Sequence, residues 1–268
     1  MRLFDSHAHY FDDRFFGAEC PEGADVLLSR LFSGGELVGI VNVGTDIPST
    51  LRALAQADQY PAMYVAAGIH PSDSRHYPDM DGELEKLCHL LESRRDKIVA
   101  LGEIGLDYHY PETDKAAQAR WLDAQLSLAE EYDLPVVIHD REAHGDCFAA
   151  ICAHPRVRGV FHSYSGSAEM AKDLIRRGFY ISFSGTVTFK NAARVAAVAA
   201  ELPHERVLIE TDCPYLAPHP HRGELNHSGH LSYTAARIGE LWSVDREEAA
   251  AITTANAEAF FFGESKTL

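Results

Sequence analysis

The 268-residue chain has few basic residues, few cysteines and no long apolar run, and each shortage removes a class of function. Lysine and arginine number 24 against 40 aspartates and glutamates, a formal net charge of −16, which argues against broad non-specific attraction to nucleic acid or to an anionic membrane. That sign does not exclude an anionic substrate, because a divalent cation in a site supplies its own local positive charge. The five cysteines, Cys20, Cys88, Cys147, Cys152 and Cys213, are odd in number and form no Cys-x-x-Cys pair. Neither a disulfide framework nor a thiolate zinc knuckle is therefore indicated. No uncharged apolar segment reaches the roughly 20 residues needed to span a bilayer. Acidic Asp5 stands where a signal peptide needs its apolar core, so the expected location is the cytoplasm, with no membrane and no obligate protein partner. Nucleophile-elbow, P-loop and dinucleotide glycine motifs are also missing, which disfavours a serine hydrolase, an NTPase or a dehydrogenase.

What is present is a globular composition, 46% hydrophobic and 24% charged, in which short apolar runs alternate with helix-like segments. This is the pattern of βα units around a parallel sheet. Eight strands are predicted: Arg2 to Asp5, Val38 to Val43, Met63 to Ile69, Ile98 to Glu103, Pro135 to His139, Gly159 to His162, Phe179 to Phe183 and Val207 to Glu210. Eight strands in a chain near the roughly 250 residues usual for the fold predict a single (β/α)8 TIM-type barrel domain over 1–268. Helices are expected at Ala24 to Phe32, Ser49 to Tyr60, Leu84 to Arg95, Ala116 to Tyr132, Ala168 to Arg177, Asn191 to Leu202, Leu231 to Trp242 and Arg246 to Phe261. Ser167 and Gly178 supply an N-cap and a stop signal for the fifth of these. A Pro/His/Gly-rich loop, Cys213 to Gly229, follows the last strand.

In a parallel barrel the ligand site lies at the C-terminal ends of the strands, so the residue closing each apolar run carries the information. Those residues are His7 and His9, Asn42, His70, Glu103, His139, His162, Ser182 and Ser184, and Asp212. His7 and His9 leave an extended strand on one face, because the side-chain period is two. By itself this is a weak signal: 15 histidines in 268 residues supply about one His-x-His by chance, and His219-Pro220-His221 is a second. The other strand ends raise it. Imidazole with carboxylate suits zinc, manganese or iron, and carboxylate-rich versions accept magnesium. One allocation puts an ion on His7, His9 and Asp212 and a second on His139 and His162, with Glu103 bridging. Taken singly, His139 would simply begin a polar loop and His162 would be a hydrogen-bonded core imidazole.

The set Asp5-Ser6-His7-Ala8-His9, Gly68-Ile69-His70-Pro71, Gly102-Glu103-Ile104-Gly105-Leu106-Asp107-Tyr108, Pro135 to His139, His162-Ser163-Tyr164-Ser165-Gly166 and Glu210-Thr211-Asp212-Cys213-Pro214-Tyr215-Leu216, then Arg222-Gly223 and Asn226, resembles the TatD family of metal-dependent deoxyribonucleases in the amidohydrolase superfamily. The tail Ile252-Thr253-Thr254-Ala255-Asn256 with Phe260 or Phe261 extends the resemblance over essentially the whole chain. It implies a (β/α)8 barrel, hydrolysis of DNA phosphodiesters, commonly from the 3′ end, and magnesium, manganese or zinc. By position the implied metal ligands are His7, His9, Glu103, His139, His162 and Asp212. Two departures stand out: Ser163-Tyr164 where the family usually has Cys-Phe, and Asn226-His227-Ser228 where it usually has Asn-Glu-Pro. The second removes an acidic residue near the site entrance.

The expected function is a metal-dependent phosphodiesterase on DNA ends or short oligonucleotides, with Asp212 and Glu103 as catalytic groups and Asp212 accepting the proton of an activated water. Arg141 and Arg222 are candidate phosphate clamps, with solvated loop arginines as the plain alternative. His70 either positions a scissile phosphate or assists proton transfer, or is a turn residue before Pro71. Tyr108, Tyr110, Tyr164 and Tyr215 either stack on bases or pack their own loops. His109, His144, His227 and His230 are read as surface or rim residues. The rivals are a hydrolase of a non-nucleic-acid ester, lactone or amide on the same scaffold, and a non-catalytic metal-binding scaffold.

Overall fold

Each β-rich run pairs with the next one in the chain, giving a single parallel sheet in the order β1 to β8. The computed structural model describes residues 1–263; the stretch 264–268 of the expected 1–268 domain lies outside the described residues. The strands are Leu3–Ala8 (β1), Leu37–Val43 (β2), Met63–Ala67 (β3), Ile98–Asp107 (β4), Val136–Arg141 (β5), Gly159–Phe161 (β6), Tyr180–Phe183 (β7) and Val207–Ile209 (β8). The ring closes where Asp212 N–H donates to His7 O at 2.9 Å and His9 N–H to Cys213 O at 2.8 Å, beside a parallel bridge between Ala8 and Cys213. The result is the (β/α)8 barrel that the eight-run pattern predicted.

The helices are Gly23–Ser33 (α1), Ile47–Ala57 (α2), Met80–Ser93 (α3), Lys115–Tyr132 (α4), His144–Ala153 (α5), Ala168–Arg176 (α6), Ala193–Glu201 (α7), Leu231–Trp242 (α8) and Arg246–Phe262 (α9). Local capping sets their starts: Asp46 accepts from Ser49 N–H at 2.7 Å, Asp114 from Ala117 N–H at 2.9 Å and Ser167 from Met170 N–H at 3.2 Å. α3 begins a turn earlier than expected because Asp79 caps it through Gly82 N–H at 3.1 Å. α5 was not expected at all. It follows a polar stretch and starts after Ala143 without a side-chain cap, so the strongest start signal is missing. Among the described residues no helix is long and apolar enough to cross a membrane.

Two apolar clusters make the core. The larger lies between strands and helices, around Leu28, Leu54, Met63, Leu91, Leu126 and Phe161. The smaller draws Phe4, Val41, Ala66, Ala100, Val137, Val160 and Leu208 from opposite sides of the sheet, and residues of opposite strands meet only inside the barrel. Phe260 and Phe261 of α9 join it, with Phe261 stacked on Phe4 at 5.9 Å between ring centroids. The N-terminal end of the barrel is thereby plugged with aromatic rings. The polar strand ends collect at the opposite mouth.

Candidate metal centre

His7 ends up inside the mouth because β1 runs on to Ala8, three residues beyond the expected end at Asp5, with irregular register against β2. His9 follows immediately, and the two Nε2 atoms face each other at 3.0 Å. His9 donates through Nδ1–H to Val43 O at 2.7 Å, which leaves the lone pair on Nε2. Asp212 Oδ1 lies 3.3 Å from His9 Nε2 and 3.7 Å from His7 Nε2. Asp212 itself has left-handed backbone, φ 57°, a conformation a non-glycine residue seldom adopts and one that recurs at functional sites.

Glu103, from β4, stands between two sets of imidazoles. Its Oε1 is 2.8 Å from His139 Nδ1, 2.9 Å from His162 Nε2 and 3.6 Å from His70 Nε2. Its Oε2 faces His7 Nε2 at 3.5 Å and His9 Nε2 at 3.7 Å. Two further carboxylates hold the rings from behind. His162 Nδ1–H donates to Glu210 Oε1 at 3.2 Å, and the same oxygen accepts Ser163 N–H at 2.7 Å. His139 Nε2–H donates to Asp107 Oδ2 at 3.1 Å. This is the outer-carboxylate arrangement that orients metal-binding histidines.

The same arrangement tests whether the residues fit a cation. With their outer nitrogens donating, His139, His162 and His9 turn lone pairs toward carboxylate oxygens and toward one another at about 3 Å, a repulsive geometry unless a proton or cation lies among them. Nitrogen and oxygen donors fall into groups of three within 4.8 Å, among them His7 with His9 and Asp212 and His7 with Glu103 and His162. The donor chemistry therefore fits one or more divalent cations.

Electrostatics points the same way. Burial raises Glu103, but the imidazoles of His162, His70 and His7 and the bond from His139 hold it well below the usual carboxylate range. Burial likewise raises Asp212, and His9, His162 and His7 bring it below its ordinary value. His162 is pushed down by burial yet ends well above an ordinary histidine because of Glu103 and Glu210. Burial drives His7 down, helped by His162. Two ionised acids thus sit among buried imidazoles that compete for any positive charge.

The mouth opens into a cavity of about 870 Å³. All six expected ligands converge at its floor, with His7 beneath the lining residues. His70 also lines it, although β3 stops at Ala67 and not at the expected Ile69. Its Nδ1 accepts Ser72 N–H at 3.1 Å, so its proton is on Nε2, and burial holds the imidazole neutral, with its pKa down at about 3. His70 therefore presents a hydrogen-bond donor. Among the described residues that line the cavity Arg141 is the only lysine or arginine, and its guanidinium lies 5.7 Å from the Tyr110 ring centroid. Arg222 does not line the cavity; it stacks 4.1 Å over Phe189, which does. Tyr110, Tyr164 and Tyr215 line it, while Tyr108 is turned away to Asp146 at 2.8 Å.

Three polar strand ends stay out of the cluster. Asn42 accepts Tyr10 N–H at 2.9 Å and donates to Gln56 at 2.8 Å, Ser182 pairs with Ser6 at 3.2 Å, and Ser184 pairs with Ser163 at 2.8 Å. Their work is structural. Conversely, Asp107 and Glu210 were missed as site residues. β4 continues to Asp107 and not to the expected Glu103, so period two along one strand puts Glu103 and Asp107 on one face, and Glu210 is two residues before Asp212. Between Glu103 and Asp107, only glycine fits at Gly105: its φ is +150° and a Cβ there would lie 1.9 Å from His139 O.

The whole chain has relatives. A family model described as TatD related DNase matches residues 4–262. An uncharacterized metal-dependent hydrolase of Bacillus subtilis, YabD, is 38% identical over 262 residues, covering 97% of this chain and 98% of its own. The crystal structure of YjjV, a TatD homologue from Escherichia coli, superposes with a TM-score of 0.88 at 32% identity, covering 97% of this chain and 98% of that one. A TatD family hydrolase from Entamoeba histolytica shares the fold, with a TM-score of 0.86 at 22% identity over 98% of this chain and 99% of its own.

Proposed function

Because the chain belongs to the TatD-related DNase family of metal-dependent hydrolases, we propose that it is a phosphodiesterase that trims DNA ends or short oligonucleotides, from the 3′ end. The observation that carries this reading is Glu103, one carboxylate with each oxygen turned to a different set of imidazoles at the floor of the cavity of about 870 Å³. His7, His9 and Asp212 would hold one divalent cation and His139 and His162 a second, with Glu103 shared; magnesium, manganese and zinc are the candidates. Such ions would supply Lewis acidity at a phosphate oxygen and make a water a better nucleophile near neutral pH.

The chain's own groups do the rest. Asp212, ionised and at the cavity wall, accepts the proton of the attacking water. Glu210 and Asp107 keep His162 and His139 in their orientations. Neutral His70 donates a hydrogen bond to a phosphate oxygen, and Arg141 meets the next phosphate at the rim. Tyr110 and Tyr215, both exposed, offer faces on which a terminal base can stack.

With a single lysine or arginine lining the cavity among the described residues, grip on the strand beyond the reacting end is weak, which favours ends and short oligomers over long duplex. The same observation supports a second reading, a small phosphate ester, lactone or amide as substrate. A side-by-side assay of a 3′-labelled oligonucleotide and a small-ester panel, with and without chelator, separates the two. The nuclease reading expects chelator-sensitive release of nucleotides that is lost in Asp212→Ala and Glu103→Ala. Turnover of the esters alone would reject it, and full activity of both variants would reject the assigned centre.

A further inference from the structure

A second cluster of metal-ligating side chains lies outside the mouth, in the loop between β8 and α8. It uses the second His-x-His of the sequence, His219-Pro220-His221, and the stretch in which His227-Ser228 departs from the family pattern. His221 Nδ1 is 2.8 Å from Glu224 Oε2, and one ligand atom each of His221, Glu224 and His230 falls within 4.8 Å of the other two. The His221 and His230 rings lie face to face, centroids 4.2 Å apart and 11° from parallel, close to the 4.1 Å and 16° of His7 on His162 in the mouth. The His227 ring lies 4.1 Å from that of His230, tilted by 31°. None of these four residues lines the mouth cavity.

The tautomer of His230 is settled by its neighbours. Asn226 Nδ2 donates to Thr211 O at 2.8 Å and to Tyr215 O at 2.7 Å, so the side-chain oxygen points the other way and accepts His227 N–H at 3.0 Å. His230 Nδ1, 3.2 Å from that oxygen, must therefore donate. Its lone pair is on Nε2, and the buried ring is oriented from behind as the histidines of the mouth are. Two imidazoles and one carboxylate suit a borderline cation such as Zn2+, with water completing the coordination, and suit Mg2+ poorly because the set offers too few oxygens.

We propose that His221, Glu224 and His230 form a second metal site, distinct from the barrel mouth, which takes a zinc-like divalent cation and staples the β8–α8 loop to the strand end that carries Asp212. The link is Asn226, which bonds both to His230 and to the carbonyls flanking Asp212. The proposal does not depend on the substrate of the mouth.

The test is zinc binding by full-length protein, stripped of metal and dialysed against micromolar Zn2+ in the presence of millimolar Mg2+. Bound zinc is read by atomic absorption and stability by thermal melting. Wild type is expected to hold one equivalent more than His221→Gln and Glu224→Gln, and zinc should raise its melting temperature by several degrees more than theirs. Glu224 is well exposed, so its variant tests folded protein even if a histidine variant fails to fold. Equal zinc content and equal melting shifts in wild type and Glu224→Gln would overturn the proposal and leave the rings as packing alone.

Discussion

Replacing Glu210 separates the charge behind the candidate metal centre from its geometry. Glu210 is buried, its Oε1 accepts from both Ser163 N–H and His162 Nδ1–H, and its Oε2 has no partner among the described residues. Glutamine can keep both acceptor bonds through its oxygen and put its amide where the unpartnered oxygen stood. It removes only the charge. A bond to a charged acceptor contributes about 1.5–3 kcal/mol and a neutral one about 0.5–1.5, so Glu210→Gln should weaken the hold on His162 by about 1 kcal/mol. That corresponds to metal affinity reduced about fivefold. Glu210→Ala instead frees the ring and should cost about 10–100-fold, the usual range for loss of an outer-shell partner. It also strands the buried His162 Nδ1–H at about 1–3 kcal/mol and leaves the partly buried Ser163 N–H without its partner, so the metal-free Ala variant should melt earlier while the Gln variant melts near wild type. Competition against a chromophoric chelator measures the affinities, with circular dichroism as the folding control. A folded Glu210→Ala protein that binds metal as tightly as wild type would refute the assignment of His162 as a ligand.

Other expectations can be checked directly. Arg141→Ala should raise KM for an oligonucleotide about fivefold, the ~1 kcal/mol of an exposed ionic contact, with kcat nearly unchanged; an unchanged KM would remove Arg141 from the substrate path. Phe4→Ala, which empties a ring position stacked on Phe261 at the plugged end of the barrel, should cost about 3–5 kcal/mol in urea unfolding and leave metal affinity alone; a loss below about 1 kcal/mol would contradict the packing described. Burial lifts Asp5 to about 6 from an ordinary 3.8, against the bonds from Thr211 and Ser228. Because the folded state binds that proton more tightly, the stabilising contribution is complete below the unfolded value and lost as pH rises through 6. Relative to Asp5→Asn, metal-free wild type should therefore lose about 3 kcal/mol of unfolding free energy between about pH 4 and 7. A gap independent of pH would show that Asp5 stays ionised throughout.

The alternation of apolar runs and helical segments was enough to predict eight βα units, because strand and helix periodicity are local properties written within ten or so residues. The phase of the polar residues along those runs also brought His7, His9, Glu103, His139, His162 and Asp212 into view as one set. Local reading failed where a tertiary contact overrides it. α5 has no cap to announce it, and β4 runs past Glu103 to Asp107 because Gly105 lets His139 O come close. Asn42 and Ser182 have the same phase as the cluster yet are spent on Tyr10, Gln56 and Ser6.

What the sequence determined by itself was the barrel, the mouth at which the polar strand ends gather and the residue types brought there. Only the tertiary structure decided which oxygen of Glu103 faces which imidazole, that Asp107 and Glu210 orient the rings, and that His221 and His230 stack in the last loop. The physical reason is distance along the chain. A hydrogen bond or a metal-sized gap is set to a few tenths of an ångström by strands up to two hundred residues apart, and no local pattern carries that spacing.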